Sequence, residues 1–189
     1  MAENLVIGGG VFGTGVALEI AKSGRGVRLL EKQKIASGAS GGPGRRGVRA
    51  NGRDVRELPL MKMAYDIWPE LHKDLDADSF FERTGNLLLL EREQDLKSAP
   101  ARVWLQQQQG IPTEFLSFEE LREMEPELDQ RVKAAIFCEK DGVCDHASVT
   151  KALAKKSREY GAQIDENCVA VSLEIQNGRV KEVITNMEE

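Results

Sequence analysis

A chain of 189 residues, 41% apolar and 30% charged, has the composition of a soluble globular protein with room for one domain or one and a half, not of a disordered segment. Its 26 Lys and Arg against 31 Asp and Glu give a net charge of −5 with both signs mixed along the chain, which leaves no basic footprint for a nucleic-acid partner. Too few residues precede the apolar run at Leu5 for an export signal, and no apolar stretch, "LLLL" at 87–90 included, approaches the roughly 20 residues of a membrane span, so a cytoplasmic location is expected.

Residues 4–7, "NLVI", read as a short buried strand, interrupted by glycines at 8, 9, 10 and 13 before an apolar-periodic helix from Thr14 to Lys22. Val16 and Ile20 sit four apart, as do Ala17 and Ala21, so small side chains continue the helix row that starts at Gly13 and can lie close against a sheet. Ser23 and Gly24 end the helix, and "GVRLLEK" returns as a second strand finishing on Glu31 and Lys32. The whole is a βαβ unit of about 30 residues.

Within it Gly8, Gly10 and Gly13 satisfy G-x-G-x-x-G. Gly8 would make the tight turn, Gly10 would let a pyrophosphate approach without a Cβ in the way, and Gly13 would permit close helix-to-strand packing. The helix N-terminus adds free N–H groups and about half a positive charge. Glu31, at the end of the second strand, can accept hydrogen bonds from ribose hydroxyls and would repel a 2′-phosphate. Glycine-rich turns also open helices that bind nothing, but here strand, glycines, helix, strand and terminal acid occur in register.

An NAD-binding domain should continue into another helix and a third parallel strand. Instead residues 36–52, "ASGASGGPGRRGVRANG", carry six glycines and a proline, and this run is expected to hold neither helix nor strand but to fold tightly around a ligand. Arg45, Arg46 and Arg49 supply charge and N–H donors there, either toward a ligand or simply for solubility.

Residues 55–77 carry Leu60, Met61, Ala64, Tyr65, Trp68 and Leu71 at helical spacing, with Pro59 suited to the first turn and Pro69 expected to kink the helix. The strand "GNLLLL" follows, then two helical stretches, the second opened by a Ser117/Glu120 capping box, then the strand "AAIFC" at 134–138. "QQQQ" at 106–109 reads as a polar helix end. Asp145 can cap a helix running to Tyr160 and closed by Gly161, after which "QIDENCVAVSLEI" and "RVKEVIT" read as strands joined by an Asn177-Gly178 turn. Cys138, Cys144 and Cys168 are irregularly spaced, and Cys144 and His146 lack the further ligands of a closed zinc site, so neither a disulfide framework nor a metal is expected. The two histidines, His72 and His146, fall in different elements and no hydrolytic set is present, so no catalytic side chain is assigned.

The βαβ unit ending in "LLEK", the following "SGASGG…RRGVR", "ELPLMKMAYDIWPEL", "RTGNLLLL" and the late D-G-x-x-D pattern at 141–145 leading into "HASVTKAL" together resemble the D-amino-acid oxidase and glycine/sarcosine oxidase superfamily of FAD-dependent amine and amino-acid oxidoreductases, over essentially the whole chain. The resemblance implies an α/β fold: a Rossmann-like, three-layer FAD/NAD(P)-binding domain with the start of an inserted antiparallel α+β substrate domain. The division expected is 1–80 for the first part of the FAD-binding domain, 81–140 for the start of the substrate domain and 141–189 for the second part of the FAD-binding domain.

It further implies that Gly8, Gly10, Val11, Phe12 and Gly13 face the FAD pyrophosphate, that Glu31 holds the adenosine ribose with Lys32 beside the adenine, and that Ala39 and Ser40 touch the phosphate and ribityl region. Arg46, Gly47 and Val48 would run under or beside the isoalloxazine ring, and the strand backbone at Ala170 would recognise adenine. Family members commonly show S-G-R-N where this chain has Ser40, Gly41, Gly42 and Pro43. The implied reaction oxidises the C–N bond of a small amine or amino-acid substrate by hydride transfer to flavin. Family members continue with another central strand and the rest of the substrate domain, so the chain is expected to be the N-terminal portion of a longer flavoenzyme or to pair with a second chain supplying the C-terminal half. An NAD-dependent dehydrogenase and a non-catalytic dinucleotide-binding fragment remain the other readings.

Overall fold

The computed structural model describes residues 4–38 and 44–187. In chain order its elements begin with β1 (Asn4–Ile7), α1 (Val11–Lys22), β2 (Val27–Glu31), β3 (Arg45–Val48), a 3-10 turn (Val55–Glu57), α2 (Leu58–Ile67) and α3 (Leu71–Asp74). They continue with β4 (Phe81–Glu82), β5 (Asn86–Leu90), α4 (Glu93–Gln108), β6 (Thr113–Leu116), α5 (Phe118–Met124) and β7 (Ala134–Cys138). The last are β8 (Gly142–Asp145), α6 (His146–Glu159), β9 (Gln163–Glu166), β10 (Ala170–Gln176) and β11 (Arg179–Thr185). The chain divides into two compact units, one of Met1–Arg45, His72–Phe80 and Asp145–Glu189, the other of Arg46–Leu71 and Phe81–Cys144.

In the first unit β1, β2 and β9 form a parallel sheet in that order, with Val6 opposite Leu29 and Leu29 opposite Ile164. Ala17 and Ala21 of α1 are buried with Val27 and Leu29 of β2 and Ala154 of α6, so the small row predicted from Gly13 is the row that packs. Hydroxyls on these buried faces bond back to their own helices: Thr14 to Gly10 O, Thr150 to His146 O and Ser157 to Ala154 O. A buried hydroxyl so satisfied costs little to bury. α6 starts where the Asp145 carboxylate accepts the N–H groups of Ala147 and Ser148, each at 3.1 Å, and Gly161 follows its end at φ +91°. Asn177 and Gly178, both at positive φ, turn the β10–β11 hairpin as an N-G pair does.

In the second unit β5, β7 and β6 form an antiparallel sheet with β7 in the centre. Ala134 and Ile136 of β7 pack with Ala99 of α4, while Ala135 packs with Leu121 of α5 and with Val132. Covering on both faces is why "AAIFC" is continuously apolar instead of alternating. A smaller sheet places β8 between β3 and β4.

The fully buried Asp141 carboxylate accepts the N–H groups of Ala50 at 2.7 Å and Asn51 at 3.0 Å and the Tyr65 hydroxyl at 2.8 Å. Burial first, then bonding to Cys138 and Asp141, raises the Tyr65 phenol above its ordinary pKa and keeps it a donor. These bonds tie residues 50–65 to the turn between β7 and β8. They account for a partition in which 46–71 packs with the middle of the chain, whereas the resemblance grouped it with residues 1–45.

Two local expectations are corrected and a third is extended. The run 36–52 does hold a strand, because β8 offers Arg45–Val48 an edge to pair with. The 55–77 segment is a 3-10 turn and two helices: α2 stops at Ile67 ahead of Pro69, which has no N–H to donate, and α3 restarts at Leu71. "QQQQ" does end α4, with Gln109 as its C-cap, but it is more than a polar end, since Gln106 is only 2% exposed and the Gln107 amide donates to Thr113 O.

The bond from Ser148 N–H is the leading cause of an Asp145 carboxyl held below its ordinary value of 3.8. Its capping contribution is therefore complete above that pH and is lost as the pH falls through the lower folded value. Asp145→Ala is expected to cost about 1 kcal/mol at pH 7 in urea unfolding, with variant and parent converging in acid.

Candidate functional site

The turn that leaves β1 is built by four glycines, each for a different reason. Gly8 sits at φ +109° and donates its N–H to Leu30 O at 2.8 Å, which fixes the turn to the neighbouring strand. A Cβ on Gly13 would collide with the carbonyl oxygen of Gly8, so the first turn of α1 can lie on the loop only without one. A Cβ on Gly9 would stand 2.5 Å from Ile35 Cδ1 and 3.0 Å from Glu31 Cβ. Gly10 differs from these, because its backbone is extended (φ −80°, ψ −179°) and a Cβ there would meet no atom of the described residues within 4 Å.

Gly10 is also the N-cap of α1, and among the described residues no side-chain cap bonds the start of the helix. The first N–H groups of a helix have no intrahelical acceptor, so those of Val11, Phe12 and Gly13 present donors and partial positive charge at this point. No acidic side chain stands in the first turn, and Phe12 is 88% exposed.

The ends of β2 and β9 close the loop from the other side. Glu31 Oε2 accepts the Gly9 N–H at 2.6 Å and Oε1 accepts the Gln33 N–H at 2.8 Å. Ala36, at φ +67°, donates its N–H to Gly9 O at 3.2 Å. Glu166 Oε1 accepts the Ile35 N–H at 2.7 Å, and this bond is the main reason its carboxyl lies below the ordinary range. Asn167 and Cys168 donate to the carbonyls of Gln33 and Glu31, both at 2.9 Å.

Of the residues expected to hold a dinucleotide, Gly8, Gly10, Val11, Phe12, Gly13 and Glu31 are therefore gathered at one end of the parallel sheet. Lys32 is exposed directly after Glu31, and Ala170 opens β10 two residues after Cys168. Arg46, Gly47 and Val48 lie on β3, and Gly47 and Val48, with Arg46, are counted in the second unit. Ala39 and Ser40 lie outside the described residues. Local spacing offers no reason to single out Gly9, Ile35 or Glu166, whose parts depend on partners far along the chain. The loop fits a pyrophosphate: its donors are uncapped and the space beside Gly10 is the space a Cβ would fill.

The family model described as DAO, FAD dependent oxidoreductase, matches residues 4–189. This chain belongs to the DAO family. FAD is the cofactor of that family, which sets aside the NAD reading. Among DAO-family relatives, anaerobic glycerol-3-phosphate dehydrogenase subunit A1 of Haloferax volcanii is 32% identical over 178 residues, covering 93% of this chain and 30% of that protein. The crystal structure of L-proline dehydrogenase from P. horikoshii superposes with a TM-score of 0.85 at 34% identity, covering 98% of this chain and 49% of that one. Glycine oxidase from Bacillus cereus ATCC 14579 gives a TM-score of 0.78 at 29% identity, covering 98% of this chain and 52% of that one. The chain thus spans about a third to a half of the length of these DAO-family proteins. No helix among the described residues is long and apolar enough to cross a membrane.

The glycines separate folding from binding. Gly10→Ala should leave the melting of the apoprotein within about 1 kcal/mol of the parent while FAD affinity falls. Gly13→Ala should destabilise the apoprotein itself by about 1–3 kcal/mol or more. Calorimetry of both apoproteins and an FAD titration check the contrast.

Proposed function

We propose that this chain is the FAD-binding N-terminal portion of a DAO-family oxidoreductase that oxidises the C–N bond of an amine or amino acid. The observation that carries this reading is the uncapped glycine loop, latched to Glu31 and open beside Gly10. The names of L-proline dehydrogenase and glycine oxidase, two solved neighbours at 34% and 29% identity, favour an amino-acid substrate.

In this reading the N–H groups of Val11, Phe12 and Gly13 hold the pyrophosphate, with Gly8 and Gly10 keeping the backbone close. Glu31 has lone pairs beyond those given to Gly9 and Gln33, and these accept the ribose hydroxyls. Lys32 and the backbone at Ala170 lie on the adenine side, Ala39 and Ser40 on the phosphate and ribityl side, and Arg46, Gly47 and Val48 at the isoalloxazine end, as the family resemblance implies. When bound, the flavin supplies the two-electron acceptor for the hydride lost from the substrate carbon. The resulting imine would be hydrolysed by water to a carbonyl compound and ammonia or an amine.

The β5–β7–β6 layer and its helices begin an antiparallel substrate domain within 81–140, flanked by the FAD-binding segments 1–80 and 141–189. The remaining length of the relatives, supplied by continuing or separate polypeptide, completes the pocket. A cytoplasmic setting goes with this reading. A second reading, oxidation of a phosphorylated polyol, is favoured by the 32% identity to the Haloferax volcanii glycerol-3-phosphate dehydrogenase subunit.

The test is a visible spectrum of the purified protein without oxygen, before and after mixed amino acids and then glycerol 3-phosphate. Bleaching of a flavin spectrum by amino acids supports the first reading, and bleaching by glycerol 3-phosphate alone supports the second. Flavin that neither bleaches would mark a binding fragment without turnover, and a protein that takes up no FAD would overturn all three. In the same preparation Glu31→Ala should weaken FAD retention by about 1–3 kcal/mol.

A further inference from the structure

Glu31 and Glu166 stand directly opposite one another at the ends of β2 and β9. Two carboxylates so paired repel, yet each is turned to different backbone N–H groups. Glu31 takes Gly9 and Gln33, and Glu166 takes the Ile35 N–H at 2.7 Å. The ion pair of Glu166 with Lys34, at 3.6 Å between partly exposed groups, contributes little by comparison.

From Ile35 the constraint reaches the glycine loop by two routes. Its buried side chain occupies the space against Gly9 that a Cβ would need. The next residue, Ala36, is held in the left-handed region that a residue with a Cβ seldom adopts, and from there it donates to Gly9 O. Neither contact survives if the 33–36 turn drifts away from the sheet end, and the Glu166 bond pins the centre of that turn.

We propose that Glu166 is a positioning residue of the cofactor loop, holding Ile35 so that the 33–36 turn is pressed onto Gly9 and the N–H groups that open α1 keep their direction. The consequence for the cofactor rests on the FAD reading above, whereas the hold on the loop does not.

The experiment therefore has two arms, run on the full chain as Glu166→Ala, Glu166→Gln and Lys34→Ala. Amide hydrogen exchange of the apoprotein is followed by NMR at Gly9, Ile35 and Ala36, and FAD affinity is measured by quenching of flavin fluorescence. Glu166→Ala should speed exchange at Ile35, Ala36 and Gly9 and weaken FAD binding, each by about tenfold, with the melting temperature little changed. Glu166→Gln keeps an acceptor oxygen and should restore most of both, and Lys34→Ala should resemble the parent.

Faster exchange at Ile35 alone, with Gly9 and Ala36 unchanged, overturns the proposal. So does a Lys34→Ala variant as impaired as Glu166→Ala, which would make the ion pair the cause. If Glu166→Ala does not fold, Glu166→Asp, with its carboxylate withdrawn by one methylene, takes its place under the same criteria. If the parent binds no FAD, the FAD reading fails and the exchange arm alone decides whether Glu166 holds the loop.

Discussion

The hydrogen bond from the Gly9 N–H to Glu31 Oε2 joins the turn after β1 to the end of β2, and the candidate site is arranged around it. A loop that presents N–H groups to a phosphate must keep them free of its own carbonyls, so it has few internal bonds with which to hold its shape. Here the shape is held from outside by a charged acceptor, the stronger kind of hydrogen bond. The N–H it takes is one that points inward, toward the sheet. Those at the start of α1 receive no side-chain cap among the described residues.

A buried carboxylate organises the second unit in a related way. Asp141 gathers two consecutive backbone N–H groups and a phenol, which leaves the chain little choice of path between β3 and α2. Removing an acceptor from several buried donors costs more than any one bond is worth, because each donor is left dry and unpaired. The same logic makes Asp141 a poor candidate for solvent-facing chemistry, and it is assigned no reactive role.

Features written in neighbouring residues were legible in the sequence. The βαβ unit, the Ser117/Glu120 capping box, the Asp145 cap, the Asn177-Gly178 turn and the roles of Gly8 and Gly13 all follow from local spacing, and each is found. What escaped depends on residues distant in the chain. Gly9 must be glycine because Ile35 and Glu31 approach it, and Glu166 matters because its strand ends beside β2, 135 positions after Glu31 in the numbering. Likewise, Arg45–Val48 is a strand only because β8 lies beside it, and Gln106 is buried despite three glutamine neighbours that suggest a wet surface.

The two-sided burial of β7 bears on how that sheet finds its alignment. A strand with one wet face that slips by one residue carries its whole apolar set into water, and this penalty fixes the register. β7 has no such penalty, since Ala134 and Ile136 face one helix layer and Ala135 faces the other. In the middle of the strand a slip would leave β7 dry on both sides and be felt as shape, with isoleucine arriving where alanine fits; only at its ends would a charge, Lys133 or Glu139, be drawn to a buried position. Alignment along the middle of this strand is therefore selected by volume, with polarity acting at its two ends, and a misaligned compact state during folding would have to be resolved by repacking.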